Sequence, residues 1–183
     1  VSLGYKNTLL SIVDYVDKWT EINKKIKFEW KHFDESVIKI PFNDKTFTHV
    51  ISCGVLEHVK ETGGDDIESL KEIHRVLKNN GKFIVYHLPN KFSWIEFLSS
   101  FYKKDSHEFK YSYKSFKKIL NNSKTNLKIQ KHFRYGILPR RSARNIKNIF
   151  FRFIYDLIDK VLEKTPLIYI SQNHCFILEK IDD

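Results

Sequence analysis

Eight histidines supply the side chains that can exchange a proton near neutral pH without help from their surroundings. Three stand at suggestive places. His58 and His87 each follow the end of an apolar run, and His107 opens the segment His107-Glu108-Phe109-Lys110-Tyr111. A histidine at a strand end or in a covering loop can act as a general base toward an acceptor hydroxyl; equally, any one of them can be a packing or surface group. Asp34 follows a third run and Gly54 ends another. The two cysteines, Cys53 and Cys175, make no disulfide framework and have no metal-ligand spacing, so neither a metal nor an oxidising compartment is expected.

The charge is one-sided. The chain of 183 residues carries a formal +10. Thirteen lysines and arginines fall between Phe109 and Tyr155, a window with no Asp or Glu, so the rest of the chain sums to −3. Such a segment suits an anionic partner, whether phosphate, nucleic acid or lipid headgroup, although a Lys-rich solvated surface gives the same count. No run approaches the roughly 20 apolar residues of a membrane span, and the start has no signal-peptide pattern. A cytoplasmic protein is expected, with peripheral membrane contact as an option. There is no methionine, which reads as a processed chain or a piece of a longer one.

Periodicity supplies the elements that must position these residues. Thr8–Lys25 is predicted as an amphipathic helix and Lys25–Phe33 as a half-buried strand. Thr48–Cys53 is a short apolar strand ending at Gly54. Asp65 opens a helix with Glu68 three residues on. Its stripe is Ile67, Leu70, Ile73 and Leu77, and Asn79-Asn80-Gly81 is expected to end it in a left-handed cap. Lys82–His87 is a strand, Phe92–Tyr102 an aromatic helix, Tyr113–Asn121 a helix and Leu127–Phe133 a strand. Ala143–Glu163 is a longer helix, and Leu167–Lys180 contains the last strand. Strands alternating with helices predict a single α/β domain over 1–183 with a largely parallel sheet.

Residues 28–94 resemble the class I S-adenosylmethionine-dependent methyltransferases, most closely the small-molecule branch that includes quinone C-methylases. Phe33-Asp34 with Ile40-Pro41-Phe42 is similar to that family's acidic loop and Leu-Pro-Phe element. Thr46 to Ser52 is similar to its Phe-Asp-x-Val strand, and Gly54-Val55-Leu56-Glu57-His58-Val59 to the segment after it. Glu72 to Gly81 is similar to its Arg-x-Leu-Lys-Pro-Gly-Gly helix ending. The resemblance implies a Rossmann-like sheet with helices on both faces. It implies S-adenosylmethionine as cofactor, with Asp34 and the Glu35 amide at the adenine and Cys53, Gly54 and Val55 along the methionine part. Thr48 replaces the usual Asp, and Asn79-Asn80 the usual Pro-Gly. The family's glycine-rich loop and ribose-binding acid have no counterpart, so the chain is expected to lack the N-terminal strands, about the first third of the family domain, and to hold the cofactor weakly.

The resemblance further implies methyl transfer to a small-molecule or lipid- or glycan-linked acceptor, with His58, His87 or His107 as base. Tyr86 to Trp94 is similar to methyltransferases of surface-glycan and lipid pathways, and its aromatic residues suit a ring-bearing or apolar acceptor. A truncated non-catalytic domain and an RNA methyltransferase are the alternatives; no nucleic-acid-binding motif accompanies the charge. Residues 135–166 form a basic helical insertion between the last two strands. Its helix is expected to dock over the acceptor pocket through Ile149, Phe153 and Leu157, with contact to an anionic membrane as the competing reading.

Overall fold

The computed structural model of the chain describes residues 7–11, 28–32, 39–61, 63–101 and 107–182. Its strands form two sheets. β1 (Asn7–Ser11) and β2 (Phe28–His32) pair in parallel, Asn7 opposite Phe28 and Ser11 opposite His32. The helix predicted from Thr8 is therefore a strand at its start. Thr8-Leu9-Leu10 is a short apolar run that fits either period, and pairing with β2 decides it.

The second sheet has the order β3-β4-β6-β5, from β3 (Phe47–Cys53), β4 (Leu77–Pro89), β5 (Leu127–Tyr135) and β6 (Asn173–Lys180). β3 and β4 are parallel, whereas β6 runs antiparallel to both β4 and β5. The sheet is thus mixed rather than largely parallel. A crossover helix, α1 (Asp66–Val76), joins β3 to β4 and permits the parallel pair.

Asp65 caps α1 as its sequence predicts, its carboxylate accepting the N–H groups of Ile67 and Glu68 at 2.7 and 3.0 Å. The helix ends at Val76, short of the expected Asn79–Gly81 cap. Lys180 is the reason: its Nζ donates to the carbonyls of His74 and Leu77 at 2.9 and 3.0 Å, satisfying the helix end from β6. Asn80 keeps its left-handed φ of 57°, but inside β4.

α2 (Trp94–Phe101) follows β4, and α3 (Tyr113–Asn122) is opened by a capping box between Ser112 and Ser115. The core unites Leu70 and Ile73 of α1, Phe83 and Val85 of β4, Phe116 and Leu120 of α3, and Phe176 and Leu178 of β6. Phe116 stacks on Phe176 with ring centroids 4.3 Å apart.

The helix predicted over 143–163 is two helices, α4 (Arg140–Asn145) and α5 (Ile149–Leu162). Asn148 restarts the chain as N-cap, accepting from the N–H of Phe150 and Phe151. α5 does not dock through Ile149, Phe153 and Leu157. All three are exposed, Phe153 at 63% and Ile149 at 85%, and no residue of α5 is buried. Its polar face is the one turned inward. Asp159 Oδ1 accepts the N–H groups of Ile137 and Leu138, both at 2.8 Å, and Glu163 Oε1 accepts that of Gly136 at 2.8 Å. Among the described residues, no helix is long and apolar enough to cross a membrane.

Candidate functional site

β3 delivers the chain to Gly54, whose N–H donates to the Tyr86 carbonyl at 3.0 Å and closes the end of the parallel pair. Gly54 has φ +64°, a conformation that side-chain-bearing residues adopt only with strain. A Cβ there would sit 3.7 Å from Glu57 Oε1 and 4.0 Å from His87 Cβ. The bare backbone of Gly54 is thus flanked by residues from two elements. Cys53 and Val55, on either side of it, are exposed. Open α/β sheets bind ligands at this carboxyl end of their strands.

From Gly54 the chain enters a short 3-10 turn, Leu56–His58. Glu57 is 2% exposed, and burial pushes its carboxyl above the ordinary range. His58 faces solvent with Nδ1 2.6 Å from Glu61 Oε2. His107 comes to the same place from far along the chain. Its ring centroid lies 5.7 Å from that of His58, and one ligand-capable atom each of Glu57, His58 and His107 lies within 4.8 Å of the others. Two histidines and a buried carboxylate are a donor set a divalent cation could use. Cysteine spacing gave no sign of this, because the fold assembles it from distant segments.

His107 is the best oriented of the three candidate bases. Glu96 of α2 grips it twice, Oε1 2.7 Å from Nδ1 and Oε2 accepting the His107 N–H at 3.1 Å. Lys110 Nζ lies 3.7 Å from the same carboxylate. The Glu96 hydrogen bond raises the His107 pKa above its usual value, burial opposing it. Burial pushes Glu96 up in turn, but the bonds and charge of His107 outweigh it and hold the carboxyl below its ordinary range. With Nδ1 held by a carboxylate, the imidazole is fixed in tautomer and direction and Nε2 is the atom left to exchange a proton.

His87 is built differently. It has φ +65° within β4, a conformation uncommon outside glycine. Tyr135 of β5 supports it on both sides: Oη accepts the His87 N–H and lies 2.9 Å from Nδ1. Tyr86 stacks on Tyr135 with planes 9° apart and centroids 4.9 Å apart, so His87 belongs to an aromatic wall beside Gly54. His87, like His107, is thus held at Nδ1, but by a phenol rather than by a carboxylate.

Arg75 ties the Ile40–Asp44 loop to the helix that follows β3. Its guanidinium donates to the carbonyls of Ile40 and Phe42, both at 2.9 Å, to Asp44 at 2.7 Å, and to Glu72. Glu72 Oε2 accepts the Ile40 N–H at 2.9 Å. The pair lowers the Glu72 pKa, through the Arg75 bond first, and raises that of Arg75. The Ile40-Pro41-Phe42 loop is thereby fastened to α1. Asp34 and Glu35, expected at the adenine, lie outside the described residues.

The sequence reading missed Glu96, Tyr135 and the buried state of Glu57. Glu96 left one signal, a lone acid in the otherwise uncharged helix Trp-Ile-Glu-Phe-Leu-Ser-Ser-Phe.

A family model described as a methyltransferase domain matches residues 6–85. A stretch of 82 residues is 37% identical to an uncharacterized protein of Methanocaldococcus jannaschii, covering 45% of this chain and 34% of that one. The chain therefore spans about a third of the length of this curated relative. Among solved structures it is similar to a putative methyltransferase of Haloferax volcanii, solved in complex with a methyltransferase activator (TM-score 0.61, 11% identity, 97% of this chain and 73% of that one). It is also similar to an S-adenosylmethionine-dependent methyltransferase of Methanosarcina mazei (0.60, 14%, 98% and 84%). A putative sarcosine dimethylglycine methyltransferase of Galdieria sulphuraria gives 0.59, 16%, 99% and 72%. The chain has the fold of the class I S-adenosylmethionine-dependent methyltransferases.

Proposed function

We propose that this chain takes part in methyl transfer from S-adenosylmethionine to a hydroxyl on a ring-bearing, small-molecule or lipid-linked acceptor, with His107 as the base. The carrying observation is the Glu96–His107 pair, brought beside Glu57 and His58 just after the strand end at which this fold binds its cofactor. The residues present suit that cofactor. Gly54 presents bare backbone in a conformation that side chains adopt only with strain, between Glu57 and His87, so the methionine part can lie close against Gly54 and Val55. Asp34 and the Glu35 amide are proposed for the adenine.

When bound, the cofactor supplies a methyl group on a positively charged sulfur, open to in-line displacement. The chain's own residues then align the acceptor and move its proton. Glu96 holds the His107 ring so that Nε2 can accept the proton of an acceptor hydroxyl as that oxygen becomes nucleophilic. The resulting imidazolium is stabilised by the same carboxylate. Half-buried Tyr86 and His87, backed by the buried Tyr135 ring, would offer an aromatic surface to a ring-bearing acceptor.

The test is transfer of labelled methyl from S-adenosylmethionine to a panel of hydroxylated aromatic and lipid-linked acceptors. His107→Gln is expected to lower the rate by roughly 10²–10⁴, the usual worth of a general base, with cofactor affinity unchanged. Because Glu96 favours the protonated imidazole, activity should rise with pH through a midpoint above the ordinary histidine value of 6.5. Glu96→Gln should move that midpoint down. A wild-type rate in His107→Gln would sink the assignment.

A further inference from the structure

We propose that the outward face of α5 is a docking surface for an anionic lipid bilayer. This inference stands apart from the methyl-transfer reading. α5 is amphipathic with its faces reversed relative to a helix of a protein core. Tyr155, Asp159 and Glu163 follow one another at four-residue spacing, and all three bond inward, Tyr155 Oη donating to the Pro139 carbonyl at 2.7 Å. Phe150, Phe153, Leu157 and Val161 lie on the opposite side of the helix and are all exposed. A helix that presents its apolar side to water while satisfying its carboxylates inside is held ready for a partner.

Charge selects the partner. Residues 140–164 contain seven lysines and arginines against three acids. Two of those acids, Asp159 and Glu163, are the ones taken up by the backbone of residues 136–138. Lys147 and Lys164 are exposed just beyond the two ends of α5, and Lys160 is exposed beside its apolar face. A row of large apolar side chains rimmed by cations is the arrangement that lies in the headgroup plane with its apolar side in the acyl boundary. A second copy of the chain would bring the same excess of cations against itself.

The test is co-sedimentation of the full chain with phosphatidylglycerol–phosphatidylcholine vesicles and with pure phosphatidylcholine vesicles, at low and high salt. Binding is expected to the anionic vesicles and to weaken with salt. Lys147→Gln and Lys164→Gln should each lower the partition about fivefold, from ~1 kcal/mol per cation near the surface. The triple variant Phe150→Ser, Phe153→Ser, Leu157→Ser should lower it at least tenfold. Its thermal melt should not change, because these side chains are exposed. Equal binding of the triple variant, or equal binding to neutral vesicles, overturns the proposal. So does a wild-type dimer by analytical ultracentrifugation that the triple variant dissociates without any lipid binding, which would assign the face to a second copy.

Discussion

Acid should loosen the segment that carries His107, and His174 is the residue through which it acts. The His174 side chain is 0% exposed on β6. Its Nδ1 meets His132 Nε2 at 2.8 Å and its Nε2 meets the Tyr111 carbonyl at 3.1 Å. Tyr111 closes the segment that begins at His107, and it is tied to β4 by Tyr111 N–H to Pro89 O and Lys91 N–H to Tyr111 O, both 2.8 Å. Burial, then the neighbouring His132 and Arg134, depress the His174 pKa from 6.5 to about 4. The folded protein thus refuses a proton that the unfolded chain accepts at about 6.5, so the unfolded state binds more protons between the two values and stability rises with pH across that window. The stabilisation is fully present above pH 6.5 and is lost as pH falls toward about 4. The gap of about 2.5 pH units corresponds to ~3 kcal/mol at 1.36 kcal/mol per unit. His132, also depressed to about 4 by burial, acts in the same direction but is coupled to its neighbour and adds less than a second full share. Urea unfolding at pH 7 and pH 4 should show the fall in the wild type. His174→Gln, which cannot titrate, should start less stable at pH 7 and fall by ~3 kcal/mol less. Parallel losses in the two proteins would refute the reasoning.

Arg75→Met removes the guanidinium that ties the Ile40–Asp44 loop to α1 and strips Glu72 of its partner. It should cost roughly 2 kcal/mol, in the range for hydrogen bonds to charged groups, read in urea melts, and should raise protease sensitivity between residues 40 and 46. Asp159→Ala orphans the N–H groups of Ile137 and Leu138, the first of them buried. The expected loss is about 2–3 kcal/mol, with hydrogen exchange accelerated at those two amides and in α5.

Much of the second sheet was legible because its signals are local. The alternation and apolar runs of β3 and β4, the Asp65 cap and the stripe of α1 each lie within a dozen residues and need no partner to be read. What stayed hidden depends on contacts between distant segments. Lys180 caps α1 from the far end of the chain, so the helix stops before the asparagines that look like its end. Thr8-Leu9-Leu10 is a strand because β2 lies beside it. The apolar face of α5 is plain in the sequence, but periodicity identifies a face and not its direction. Three inward carboxylate bonds decide that. In the site, His58, His87 and His107 stood out by residue type. Glu96 could be recognised as the partner of His107 only once α2 brought the two together, and the Tyr135 contact that engages His87 required the β5–β6–β4 pairing.

The central claim is that the end of β3 holds S-adenosylmethionine, and amide NMR during a titration tests it most directly, because it registers even weak binding residue by residue. The account predicts saturable shifts concentrated at Gly54 and Val55, with His107 responding, and their loss in Gly54→Val, whose side chain the +64° φ disfavours and whose bulk would press toward Glu57 and His87. Shifts that never saturate, that cluster away from Gly54, or that persist in Gly54→Val would contradict it.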